Sequence, residues 1–447
     1  MRRDDRNAIV TRANRVSGAH SKSLVKELLK QGSTIILLGP GGVGKTTVAA
    51  ALGIAAARAR LDTGMITVDP ARRLRDALGL ERLTAKPTRI DSRRLAAAGL
   101  DPKLKLSAMV LDVKGAWNGL VERFVKTAAA RERILKNPFY RSLTEQFAGA
   151  EAYAALEQLY DLHSAARFDV KIVDTPPAAH AFEFIQAPAH LVRLLDSRAA
   201  RWLFMPYAAA GKTVLGFANR AASFVIEQLE QFAGVRTLTS ISEFFGATAE
   251  AADAIVDRFR KVDAMLHSAS VHFVLVTTTE EDRLHAAQAL VRQMESEGLR
   301  LSAIVLNRML DERTFDAMLA APRQMPRALA EIPRLRSALQ LNGVADAKLD
   351  SIVRYLEDYG ANQRNEIERA ARFARELPTT VELAIAPEIN LGLRDLGALA
   401  KVGAILAGDT NGRSFLADAE VAFGLVPPAP SLANRPKRKS TSHRAAR

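Results

Sequence analysis

The chain has 447 residues, 48% apolar and 25% charged, a balance that excludes an intrinsically disordered protein and permits a large buried core. It contains no cysteine, which excludes disulfides, thiolate zinc sites and thiol-based handling of a soft metalloid. The net charge of +14 is concentrated at the two ends: residues 1–30 carry eight Lys/Arg against three acids, and residues 427–447 carry six against none.

The first 30 residues read as a basic N-terminal segment, and no signal-peptide core follows Met1-Arg2-Arg3. No apolar run approaches the roughly 18–20 residues that a bilayer span needs, so the expected address is the cytoplasm, with a peripheral membrane location open to it. A first strand is expected at Thr34–Leu38, and Gly39-Pro40-Gly41-Gly42-Val43-Gly44-Lys45-Thr46-Thr47 follows it and fits G-x-x-x-x-G-K-[ST]. An Ala-rich helix is expected behind this loop, from Val48 to Arg60. Strand, glycine turn and helix together make a nucleotide-phosphate site. The glycines let backbone N–H groups close around phosphate oxygens, and the helix presents its positive end. Lys45 reaches the β- and γ-phosphates, and Thr46 offers a hydroxyl to Mg²⁺.

A second strand at Met65–Val68 ends in Asp69, which is placed to orient the water attacking the γ-phosphate or to support the magnesium shell. Its other reading is an N-cap for a helix opened by Pro70. The interval near 100–165 has helical spacing. A third strand at Val170–Val173 leads into Asp174-Thr175-Pro176-Pro177-Ala178-Ala179-His180, and an Asp closing an apolar strand in such a protein is a second magnesium anchor, acting through a water. The interval near 185–265 again reads as helical. Its apolar residues, among them Trp202, Phe204, Leu215, Phe217 and Phe224, form either a client groove or ordinary core. Gly211-Lys212-Thr213 does not make a second phosphate loop, because Pro206 stands where its glycine would be.

Further strands are expected at His272–Thr277, Ala303–Leu306 and Val381–Ala386. Strands alternating with helices give an α/β fold, a P-loop NTPase with a mostly parallel sheet covered by helices, and functional residues at the carboxyl ends of the strands. The expected organisation is one ATPase domain over 31–426 with two helical insertions, followed by a flexible basic tail over 427–447.

Gly-x-Gly-Gly-Val-Gly-Lys-Thr-Thr, then Val-Asp-Pro-Ala-x-x-Leu-x-Asp-Ala-Leu-Gly from Val68, then Val-Asp-Thr-Pro-Pro-x-x-His from Val173, resemble in this order the ArsA/Get-type ATPases of the deviant Walker A class. Gly149-x-Glu151 is similar, in looser form, to that family's Gly-x-x-Glu region. Leu306-Asn307-Arg308 resembles its adenine-reading Asn, and Ala386-Pro387-Glu388 its base-side loop. The resemblance covers about residues 33–405. It implies a magnesium-dependent ATPase working as a dimer that ATP closes and hydrolysis opens, with Lys45 and Thr46 in the P-loop roles. It also implies Asp69 beside the attacking water, Asp174 in switch II, Asn307 and Pro387 at the base, and a helical subdomain carrying an apolar or membrane-related client. Asn307, with no Asn-Lys-x-Asp signal in the chain, favours ATP over GTP.

The departures from this pattern are specific. Pro40 occupies the position of the lysine that the resemblance implies reaches the partner's phosphates, and Ala179 that of a switch glycine. Either another basic residue substitutes, or the partner is a related ATPase subunit rather than a second copy, or turnover is slow. The absence of cysteine removes zinc-linked dimerisation. One alternative, resting on Pro40 and Ala179 together, is a nucleotide-binding scaffold subunit of a heterodimer with little turnover, and another class is a ParA/MinD-like ATPase, whose basic ends would touch DNA or a membrane surface. The long helical insertions and the Asp-Pro-Ala-x-x-Leu stretch count against it, and the near-neutral body makes nucleic acid an unexpected partner.

Overall fold

The structure is a computed structural model. It describes residues 28–68, 72–146, 150–175, 186–189 and 192, 235–248, 250–320, 346–389, 395–408 and 411–425. Asp69, Gly149, His180 and the apolar stretch containing Trp202 to Val225 lie outside the described residues, as do most of the basic N-terminal segment and the basic tail.

Two compact units are present. The larger is built on an eight-stranded sheet, in chain order β1 Thr34–Leu38, β2 Thr63–Thr67, β3 Thr88–Arg89, β4 Leu106–Val110, β5 Val170–Asp174, β6 Val271–Thr277, β7 Leu301–Leu306 and β8 Glu382–Ile385. Their spatial order is β3-β4-β2-β5-β1-β6-β7-β8, and every pairing is parallel except the short β3 against β4. β1, β2 and β5 are buried along their whole length, which is why β1 reads as a continuous apolar run rather than an alternating one. Strand order reverses around β1, between β5 and β6, and the chain leaving β1 therefore enters the crevice where such sheets bind ligands.

The helices are, in chain order, α1 Lys45–Arg58, α2 Arg72–Ala77, α3 Ser92–Ala97, α4 Val113–Phe124, α5 Ala128–Lys136, α6 Pro138–Gln146, α7 Ala150–Ser164, α8 Val235–Thr248, α9 Ala252–Leu266, α10 Glu281–Ser296, α11 Glu312–Ala320, α12 Asp346–Glu376, α13 Leu396–Leu406 and α14 Gly412–Ala422. α1 begins at Lys45, three residues before the expected start, because Gly44 in the left-handed region turns the loop directly into the helix. Its residues Val48–Ala57 are all buried, so it lies in the core rather than on a surface. Alanine supplies helix propensity there without bulk. Gly403 of α13 lets that helix press onto α1: a Cβ on it would come 2.3 Å from the carbonyl oxygen of Ala51, a backbone atom that cannot swing away. Gly403→Ala is therefore expected to cost about 1–3 kcal/mol, the usual penalty of overpacking. Calorimetry checks this, and an unchanged melting temperature would mean the two helices separate freely.

The interval near 100–165 does not begin as a helix. Leu106-Ser107-Ala108-Met109-Val110 forms β4, paired with β2 from Thr63↔Leu106 to Thr67↔Val110, and helices start only at Val113. Beyond it, α4, α5 and α6 are separated by caps: Thr127 accepts from the Ala130 N–H, and Asn137 accepts from those of Phe139 and Tyr140 with Pro138 in the first helical turn. With α7, α8 and α9 they enclose a core of their own, centred on Trp117, Tyr140, Tyr153, Phe244 and Phe259.

In the smaller unit, Phe315 of α11 stacks on Phe415 of α14 at 4.9 Å. Thr314 and Tyr359 of α12 share a hydroxyl hydrogen bond of 2.9 Å, and Arg375 pairs with Glu420 at 2.7 Å. Among the described residues no helix is long and apolar enough to cross a membrane, and no three of His, Cys, Asp or Glu are grouped to hold a metal.

Candidate functional site: the loop after the first strand

Residues 39–44 leave the carboxyl end of β1 as a tight turn. Gly39 has φ 149°, and a Cβ there would lie 2.1 Å from the carbonyl oxygen of Val276 at the end of β6, so only glycine lets the loop start this close to the neighbouring strand. Gly44 has φ 89° and its missing Cβ leaves room for Asn307, whose Nδ2 would otherwise lie 2.4 Å away. The two glycines set the width of the loop by letting the ends of β6 and β7 approach it.

α1 has its first intrahelical bond from the Val48 N–H to the Gly44 carbonyl, 3.0 Å. The N–H groups of Lys45, Thr46 and Thr47 thus precede the ladder at the positive end of the helix, an arrangement that receives anions. Gly41 and Gly42 form the turn, and Val43 is buried beneath it. Lys45, 8% exposed, folds its ammonium back to donate to the carbonyls of Gly39 at 2.9 Å and Pro40 at 3.0 Å. The cation is thereby held inside the loop rather than on the surface.

Parallel register brings the next residue in. Asp174 at the end of β5 lies level with Leu37 of β1 on one side and Thr67 of β2 on the other. From there its Oδ2 accepts a 2.6 Å hydrogen bond from the Thr46 hydroxyl. One hydroxyl and one carboxylate oxygen side by side are hard donors of the kind that bind Mg²⁺ while it keeps most of its waters, so this pair fits that ion. Thr175, next in the chain and buried, donates its hydroxyl to the Leu37 carbonyl and ties the β5 end to β1. Val68, the residue before Asp69, donates its N–H to the Asp174 carbonyl at 3.1 Å.

The structure places Asn307 one residue beyond β7, 4% exposed, with its amide donating to the Val43 carbonyl at 2.8 Å. Its N–H bonds to Thr277, and the turn behind it, with Arg308 and Leu310 at φ 58° and 59°, pairs with the segment after β8 through Met309 N–H to Ala386 O and Glu388 N–H to Leu310 O. Pro387 is buried within that segment. Lys45, Thr46, Asp174 and Asn307 thus meet around one loop, and Pro387 stands behind Asn307 on the β8 side. What the sequence did not reveal is that Asn307 braces the phosphate loop itself, and that a guanidinium from α10 approaches Gly42. Both depend on strands hundreds of residues apart lying side by side. The only local sign of the second was a basic residue in the first turn of a helix that follows a strand.

Comparison with known proteins agrees with this geometry. A family model described as anion-transporting ATPase matches residues 33–333. The chain is 22% identical over 299 residues to the ATPase asna-1 of Caenorhabditis elegans, covering 64% of this chain and 78% of that protein. It is 26% identical over 320 residues to the ATPase get3 of Schizosaccharomyces pombe, 70% of this chain and 85% of that one. An uncharacterized protein of Streptomyces coelicolor is 29% identical over 322 residues, 70% and 71% of the two chains. With the phosphate loop, the Thr46–Asp174 pair and the Asn307 brace lying inside the matched region, the chain belongs to the anion-transporting ATPase family.

Proposed function

We propose that the protein is a Mg²⁺-dependent ATPase of the deviant Walker A subtype, and that it couples ATP binding and hydrolysis to the closing and opening of a dimer that handles an apolar or membrane-related client. The observation that carries the reading is the meeting of Lys45, Thr46 and Asp174 at the positive end of α1, behind a loop whose glycines hold it to phosphate width. Backbone N–H groups and Lys45 would bind the phosphates, and Thr46 with Asp174 would hold the ion, which when bound neutralises charge on the phosphate oxygens. Asp69, following β2, is assigned to orient the attacking water, and Asn307 with Pro387 to the base side.

The names of the relatives support ATP as the nucleotide, since asna-1 and get3 are both called ATPases. Client handling and the dimer rest on the resemblance in the three phosphate-side motifs. The expected location is cytoplasmic with a peripheral membrane role through the basic ends. Pro40 favours a second reading, in which the partner is a related ATPase subunit and this chain alone turns over slowly. The specific ATPase rate of the purified chain over a wide protein range tests both. A rate per molecule that climbs with concentration supports a homodimer, whereas a flat, near-zero rate with ATP bound supports the heteromeric reading. Absence of ATP binding would end both.

Asp69→Asn separates binding from chemistry. The variant is expected to keep ATP affinity within about twofold and to lose on the order of a hundredfold in turnover, the scale of a positioned general base. Single-turnover hydrolysis measures it, and an unchanged rate would remove Asp69 from the mechanism.

A further inference from the structure

The phosphate loop has a neighbour that the readings above do not use. A Cβ built on Gly42, at the crest of the turn, meets a single group within contact distance: Nη2 of Arg283, at 4.0 Å. Arg283 sits in the first turn of α10, just beyond the carboxyl end of β6, and β6 pairs directly with β1. Its side chain is exposed, and among the described residues it enters no ion pair.

Helix stability does not account for a cation at that position. The first turn of a helix favours negative charge, which Glu281 and Asp282 supply, so Arg283 opposes the dipole of its own helix. Its backbone is nonetheless fixed, because the Thr277 hydroxyl donates to the Arg283 carbonyl at 3.0 Å and the Arg283 N–H bonds to Glu280. A fixed backbone at the sheet's ligand-binding edge, carrying an uncommitted guanidinium over the crest of an anion-receiving loop, has the form of a phosphate contact. The loop itself brings one cation, Lys45, and Pro40 at its start brings none. Arg308, whose Nη2 would lie 3.9 Å from a Cβ on Gly44, flanks the other end of the loop.

We propose that Arg283 binds the terminal phosphates of the nucleotide from within the same chain, its guanidinium closing over Gly42 to share their charge with Lys45. This rests on the ATP-binding reading. A planar fork suits two phosphate oxygens at once, which a lysine at the same place would not match.

The test is equilibrium binding of ATP, ADP and AMP to the full chain with Mg²⁺, comparing wild type, Arg283→Ala and Arg283→Lys, with circular dichroism melting on each. Arg283→Ala is expected to weaken ATP about tenfold, ADP less and AMP not at all, with Arg283→Lys in between and melting unchanged. Arg283→Gln carries the alanine expectation should the shorter side chain disturb folding. ATP affinity within about twofold of wild type would make Arg283 a solvated surface residue. An equal loss for all three nucleotides would mean it only props the loop, and either result overturns the proposal. If the wild-type chain binds no ATP, the ATP reading falls as well, so the two failures are distinguishable.

Discussion

Lys45→Ala is expected to lower ATP turnover at least about a hundredfold, the scale at which removing one preorganised charge from a phosphoryl-transfer site is felt. The ammonium is held inside the loop by the Gly39 and Pro40 carbonyls at 2.9 and 3.0 Å, so the charge lies within the phosphate loop rather than out in solvent. Alanine removes the charge and also leaves those two carbonyls without this donor. Both ATP affinity and the hydrolytic step should therefore fall, in contrast to Asp69→Asn, where affinity is retained. The fold should survive, because the loop's width is set by Gly39 against Val276 and by Asn307 on Val43, neither of which involves Lys45. Steady-state and single-turnover rates at saturating ATP decide the matter, and a rate within about threefold of wild type would move the reaction away from this loop.

The parts of the fold that were legible in the sequence are those whose signal is local. β1, β5 and β6 are apolar runs ending in a glycine, an aspartate and a threonine cluster, and their ends in the structure fall within a residue of the runs. The phosphate loop is local too, since its geometry lies in nine consecutive residues. β4 was hidden because Ser107 and Ala108 dilute its apolar character. Its strand identity comes from β2, 43 residues earlier in register, which offers a parallel edge. Asn307 looked like a residue facing a ligand, and nothing in Leu306-Asn307-Arg308 announces that Gly44 opens the space through which its amide reaches the Val43 carbonyl. The ion network of the helices was equally invisible, because its charges come from three helices and only their packing brings them together.

That network supports the other large expectation. Glu157 of α7, its side chain 3% exposed, accepts from Nε of Arg258 on α9 at 2.8 and 3.0 Å and from the Tyr153 hydroxyl at 3.0 Å, with Arg123 of α4 at 3.4 Å. Arg258 also holds Asp161 and lies 4.0 Å over the Tyr160 ring. Burial, reinforced by the charge of Glu157, pushes the Tyr153 phenol far above its ordinary value, so it stays a donor. Desolvation pushes Asp161 up, but hydrogen bonds from Arg123 and Arg258 outweigh it and keep the carboxyl below the usual range. Arg258→Ala would leave Glu157 as a buried charge with only a longer contact to Arg123 and a phenol, at an expected cost of about 3–5 kcal/mol. The cost belongs to the stranded carboxylate rather than to the pair. Adding Glu157→Leu to Arg258→Met should therefore recover part of the stability, because two apolar side chains of similar volume need no partner, while the buried Tyr153 hydroxyl, which loses Glu157 as its acceptor, still costs about 1–3 kcal/mol. Denaturant melts of the single and double variants measure both. A double variant as unstable as Arg258→Ala would show instead that Arg258 acts mainly through Asp161 and Tyr160, making the joint between α7 and α9 a matter of packing and surface charge.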